Sequence, residues 1–169
     1  MSIRVVIDHK LAIGMLFRLP QRLPWITPYR AMLITPRLLE YLSGPWVSIE
    51  EEDRAARLHA DLEVFVGANT IDPKYIRRLW PPRDNIWEIR SIRDQPSLRV
   101  IGAFAEKDLF VATNHERRDE LGGWQSRQWR DCKLRCKTDW SNLFHTYPRH
   151  TGATIHDHVS GAIDGKYFR

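Results

Sequence analysis

The chain has 169 residues, 43% of them hydrophobic and 28% charged, with a net charge of +5. That length suits one domain with a sizeable core, and no apolar run approaches the ~20 residues of a membrane-spanning helix, so a charged disordered chain and a helical membrane protein are both excluded. Two cysteines, Cys132 and Cys136, rule out a disulfide framework and fit a reduced, cytoplasmic protein.

The charge is uneven along the chain. Residues 49–72 carry two cations and seven anions, whereas 73–99 carry seven cations and three anions. An acidic segment is thus followed by a basic one, and a basic patch suits a polyanion such as RNA or DNA as well as plain solvation.

In chain order, RVVIDH at 4–9 reads as a strand, on its β-branched residues. KLAIGMLFRLP at 10–20 has the look of an export signal's core, but Arg18 interrupts it and no small-residue cleavage site follows, so export is not expected. QRLPWITP at 21–28 is proline-broken loop. Thr35 with Pro36 at the first position, and Gly44 at the end, predict a short helix. Ser48 followed by Glu51 is a capping box. Leu58, Leu62, Phe65 and Val66 then recur at helical spacing, which predicts an amphipathic helix over 49–66. Its three leading acids complement the helix dipole and are not read as a catalytic pair. Asp72 with Pro73 predicts a second cap and a short helix to about Leu79, stopped by Pro81 and Pro82.

The stretch NIWEIRSIRDQPSLRVIGAFAEKDLFVATNHERR, 85–118, holds six cations among apolar residues. Ile86, Glu88 and Arg90 alternate with Trp87, Ile89 and Ser91, the period of a half-buried strand. DQPS turns the chain into LRVIGAFA at 98–105, and EKD turns it into LFVATN at 109–114. Three short strands with brief connections make an antiparallel meander.

Trp129, Cys132, Cys136, Trp140 and Leu143 follow at steps of three or four, so 124–144 is a helix whose aromatic stripe packs on the sheet. The residues 145–169 are turn-rich and contain His145, His150, His156 and His158. Zinc on Cys132 and Cys136 with His145 or His150, or on His156 and His158, is weaker than a core role for the cysteines, and no metal is expected. The fold class is α+β: a small antiparallel sheet, the three-stranded meander plus a possible extra strand, packed with N-terminal helices and a C-terminal amphipathic helix. Residues 1–47 are set apart as an N-terminal extension, 48–144 as the main domain and 145–169 as a tail.

Helix, short helix and meander in that order, with Trp87-Glu88-Ile89-Arg90, then Leu98-Arg99-Val100, then Leu109-Phe110-Val111-Ala112, resembles the RelE/ParE superfamily of toxins and above all its HigB-like, phage-derived branch. The likeness covers roughly 49–118. It implies the toxin component of a type II toxin–antitoxin system that cleaves messenger RNA on translating ribosomes without a metal or other cofactor. RNA, the ribosome and a cognate antitoxin are the implied partners, with no membrane. The alternative is a non-catalytic protein of the same fold, either a gyrase-directed toxin or a phage-type accessory protein.

Cleavage by attack of the 2′-hydroxyl needs a base, a cation for the crowded phosphorane and an acid for the leaving oxygen. Arg90 and Arg99 match the family's motif arginines, and a guanidinium fork suits phosphate oxygens; their competing reading is a cross-strand surface paired with Glu88. His115, placed just past the third strand, is the base or acid, because imidazole titrates near neutral pH. Arg93, Lys107, Arg117 and Arg118 are the expected nucleic-acid contacts. Two departures stand out. Relatives end soon after the meander in a lysine-rich or aromatic stretch, whereas NHERRDELGGW runs on for some fifty residues, and the first strand that the family expects before its helices is hard to find.

Overall fold

The computed structural model describes residues 2–93 and 95–168. In chain order the elements are α1 (Ile3–Ala12), β1 (Phe17–Arg18), β2 (Ala31–Ile34), α2 (Pro36–Ser43), α3 (Ile49–Gly67), β3 (Ile76–Arg78), β4 (Trp87–Ser91), β5 (Leu98–Glu106), β6 (Leu109–Arg117) and α4 (Arg127–Phe144). Short 3-10 turns occur at Pro82–Asp84 and Ile155–Asp157.

The molecule is α+β, but the sheet is larger than a three-stranded meander with one addition. Six strands run in the order β1-β2-β6-β5-β4-β3, antiparallel except for β2, which lies parallel to β6. The strands missed by pattern, β1, β2 and β3, have two to four residues each, too few to display a period.

Both sheet faces are covered, giving three layers. On one face Trp87, Ile89, Val100, Phe104 and Phe110 pack against Leu38 and Leu42 of α2, Leu58, Leu62 and Phe65 of α3, and Ile155, Val159 and Tyr167. On the other, Ala103, Ala105 and Val111 meet Ile7 of α1 and Trp140, Leu143 and Phe144 of α4, while Ile101 meets Trp129, Cys132 and Cys136. Gly102 sits at a register shift where a methyl group would run into the Val111 carbonyl and the Phe110 ring, so only glycine allows the strands this close.

Three elements differ from expectation. RVVIDH is helical: Ile3, Val6, Ile7 and Leu11 stand at i, i+3, i+4 and i+8, one face of a helix, and pack toward the α4 layer, which outweighs the strand propensity of the valines. The segment after Asp72 is not a helix. The Asp72 carboxylate accepts from the Lys74 amide at 2.8 Å, forming an Asx turn, and Ile76–Arg78 then pairs with β4. The third meander strand continues to Arg117, so His115 lies within it.

Residues 1–47 supply two strands and two helices, and the residues after 145 are tied in by parallel bridges from Ile71 to Ala162 and from Arg78 to Phe168. The buried Arg30 guanidinium donates to the carbonyls of Phe65 at 2.7 Å, Ala68 at 2.8 Å and Ser160 at 2.5 Å. Asp108, in the β5–β6 turn, accepts from the Ser160 amide at 2.7 Å.

Half of the expected capping box on the long helix is present: the Ser48 hydroxyl accepts from the Glu51 amide at 3.2 Å, while the Glu51 carboxylate turns to Tyr41 and Arg54. Ser48→Ala is expected to lower stability by about 1 kcal/mol, read as a drop of roughly 2–4 °C in a thermal melt, and an unchanged melt would show that the cap contributes nothing.

Candidate functional site

The register of the central strands decides which charged side chains can meet. Arg90 lies opposite Arg99, and Arg99 opposite Glu116; Val100 lies opposite His115, and Leu98 opposite Arg117. Opposed residues share a face and neighbours along a strand alternate. Arg90, Arg99 and Glu116 therefore point to the α4 side, and His115 and Arg117 to the side of α2 and α3. The strand register separates the imidazole from the two motif arginines.

Those arginines converge on a carboxylate. Glu88 is fully buried, with the Arg99 Nε at 3.5 Å and the Arg90 Nε at 3.8 Å. Arg99, 3% exposed, also donates to the Ser97 hydroxyl at 2.9 Å and the Leu98 carbonyl at 3.0 Å. Arg90 donates to the Lys74 carbonyl at 3.2 Å. A charge this deep is tolerable only when paired, so the cluster holds β4 to β5 at their polar end.

His115 lies in a different place, a cleft of about 330 Å³ beside the end of β6, walled by Arg37 and Tyr41 of α2, Glu51 of α3 and Arg135 of α4. The cleft exists because β2 stops at Ile34, leaving the last residues of β6 without a strand on that side. The imidazole stacks on the Tyr41 ring at 4.0 Å, and its Nδ1 is buried with no hydrogen-bond partner. Burial first, then the positive charges of Arg37 and Arg135, push its pKa down to about 4. His115 is thus a neutral imidazole at pH 7 and does not titrate near neutrality in the unliganded protein.

The rest of the cleft alternates in sign. The Tyr41 hydroxyl donates to Glu51 Oε2 at 3.3 Å, and burial followed by that carboxylate pushes its pKa up to about 12. Arg54 pairs with the same carboxylate. Arg117 lies 4.0 Å from Glu51 and 2.9 Å from Asp119, and Arg135 lies 2.7 Å from Glu116. An anion that entered would offset the Arg37 and Arg135 charges and raise the His115 pKa toward its usual range, so binding and basicity are coupled here.

Of the other expected contacts, Arg93 is exposed and 3.5 Å from Asp61, and Arg118 donates to the Gly122 carbonyl at 2.8 Å, both at the same end of the sheet as the cleft. Lys107 sits in the β5–β6 turn at the opposite end. Cys132 and Cys136 are buried, and burial pushes their thiols up to about 12 and about 11, leaving them unreactive. Among the described residues, no three His, Cys, Asp or Glu side chains are grouped to hold a metal ion, and no helix is long and apolar enough to cross a membrane. Arg37, Tyr41, Glu51 and Arg135 were not anticipated from sequence. They come from the consecutive helices α2 and α3 and from α4 far downstream, and only the tertiary fold brings them to His115. No family profile, curated protein or solved structure matches the chain.

Proposed function

We propose that this chain is a RelE/ParE-type toxin, HigB-like, that acts on RNA at translating ribosomes and is neutralised by a separate antitoxin. One observation carries the reading: β2 stands immediately before α2 and α3 and runs parallel to the last strand of the meander, which supports taking Ala31–Ile34 as the strand that the resemblance calls for ahead of the helices. The resemblance itself rests on roughly 49–118, and β2 adds a structural element in support of it.

In this reading the reaction centre is the His115 cleft, with Arg37 and Arg135 holding the scissile phosphate. The bound phosphate raises the imidazole pKa, His115 takes the proton of the 2′-hydroxyl, and the 2′ oxygen attacks phosphorus as the bond to the 5′ oxygen breaks. Tyr41, protonated at neutral pH, is the donor nearest to hand for the departing oxygen. The products are a 2′,3′-cyclic phosphate and a 5′-hydroxyl. Arg90 and Arg99 then serve the sheet and not the phosphate.

A specific observation favours the second reading, a non-catalytic protein of this fold that binds gyrase or another partner: both motif arginines are engaged by Glu88. Inducing the wild type and an Arg37→Ala/His115→Gln variant in bacteria, and following labelled amino-acid and thymidine incorporation, separates the two. The toxin reading expects rapid loss of protein synthesis in the wild type and at least tenfold slower loss in the variant. Loss of DNA synthesis first favours a gyrase target, and unimpaired synthesis of both kinds ends the toxin reading.

A further inference from the structure

Two indoles stand in water beside a basic helix face. Trp80 is 57% exposed and Trp124 is 55% exposed, and they line one shallow groove whose floor includes the buried Trp129. Two neighbouring indoles with apolar rings and polar N–H groups make the kind of amphipathic surface at which tryptophan is enriched in interfaces. On α4, Arg127, Arg130, Lys133 and Lys137 follow at steps of three, three and four, which puts four cations along one stripe of the helix surface. Lys133 Nζ donates to the Trp80 carbonyl at 2.7 Å, so the stripe and the aromatic groove are one surface.

Two acids temper the stripe: Asp131, 3.5 Å from Arg127, and Asp84, 2.6 Å from Lys137. Arg149 donates to the Asp84 carbonyl at 2.7 Å and adds another cation at that end. Partial burial lowers the Lys133 pKa; Asp84 opposes this, and the smaller effects of Lys137 and Arg130 act with it. The complement of such a surface carries regular negative charge and flat rings.

We infer that the groove between Trp80 and Trp124, with the α4 cation stripe, is a binding site for single-stranded RNA, stacking unpaired bases on the two indoles and laying phosphates along Arg130, Lys133 and Lys137. Exposed aromatics beside a positive track are how proteins hold single strands without reading sequence, and a duplex offers no free base faces to stack. The site lies outside the His115 cleft. It takes the RNA-directed reading as its starting point and adds where the strand is held, and its test reads binding and not cleavage, so the two fail separately.

The test is fluorescence anisotropy with a labelled mixed-sequence RNA 12-mer and the full chain, across a salt series. Trp80→Ala and Trp124→Ala are each expected to weaken binding about tenfold, with Trp→Phe recovering most of it because a ring is restored. Arg130→Ala is expected to flatten the salt dependence by about 0.7 in the log–log slope, one phosphate contact. The matching duplex is expected to bind at least tenfold more weakly than the single strand. Affinity unchanged in both alanine variants, duplex bound as tightly as single strand, or binding only to phosphatidylserine vesicles would each overturn the assignment. Circular dichroism of every variant separates lost binding from lost folding. RNA held as described by a protein that leaves ribosomal message intact would support the site and sink only the toxin reading.

Discussion

Replacing Arg99 with alanine is expected to destabilise the protein by about 3–5 kcal/mol, measured as the shift in a urea denaturation curve. The reason is the carboxylate it faces. Glu88 has no exposed surface, so removing the nearer guanidinium leaves a buried negative charge with Arg90, the more distant and more exposed partner. Such a charge cannot be rehydrated without opening the sheet. Adding Glu88→Gln to the Arg99→Ala protein is expected to return a good part of the loss, because a neutral amide does not need a counter-charge. A loss below about 1 kcal/mol for Arg99→Ala would mean that Arg90 alone suffices. The result bears on the proposed function too, since any functional loss in an Arg99 variant would report unfolding before chemistry.

Acid is expected to unfold the protein earlier than its carboxylates alone would dictate. His59, His115 and His158 all have pKa values lowered by burial; Arg22 adds to the effect at His59, Arg37 and Arg135 at His115, and His150 and Arg78 at His158. A lowered folded-state pKa means that the unfolded chain takes up protons first as the pH falls below about 6.5. Stability is therefore complete above pH ~6.5 and declines between there and the folded value, about 4 for His115. Each such histidine adds a slope of about 1.4 kcal/mol per pH unit within its window, so His115 alone is worth up to about 3 kcal/mol. Denaturation curves at pH 7 and pH 5 check this, with His115→Gln expected to shrink the difference between them. An equal loss in wild type and variant would show that His115 does not hold its proton affinity down as described.

The parts of the fold legible in sequence were those with enough residues to show a period or a chemical cap. The helix over 49–67, the helix after Thr35, the three meander strands and the α4 stripe all carried such signals. β2 and β3 did not, because strands of four and three residues are specified by their partners, not by their own alternation. At the site, His115, Arg117 and the Glu88 pairing could be named from sequence, but which face each occupied could not. One residue of register moves a side chain through the sheet, and the extra residue in β6 between Ala112 and Asn114 is invisible to pattern. The residues after 145 looked like a turn-rich end, since Ile155, Val159 and Tyr167 have no periodicity of their own and are held by a groove that others build.

The parallel pairing of β2 with β6 also governs how the chain comes into being. The Thr35 hydroxyl finds the Thr113 carbonyl 78 residues downstream, and Arg30 finds Ser160 a full 130 residues away. At roughly 5–20 residues per second of synthesis, β2 waits on the order of 4–16 s for its partner, and the Arg30 contacts wait longer still. During that interval Met32, Leu33 and Ile34 have only the two-residue β1 to pair with and an open edge where β6 will lie, which leaves a sticky nascent segment for a chaperone, or a co-translated partner, to shield.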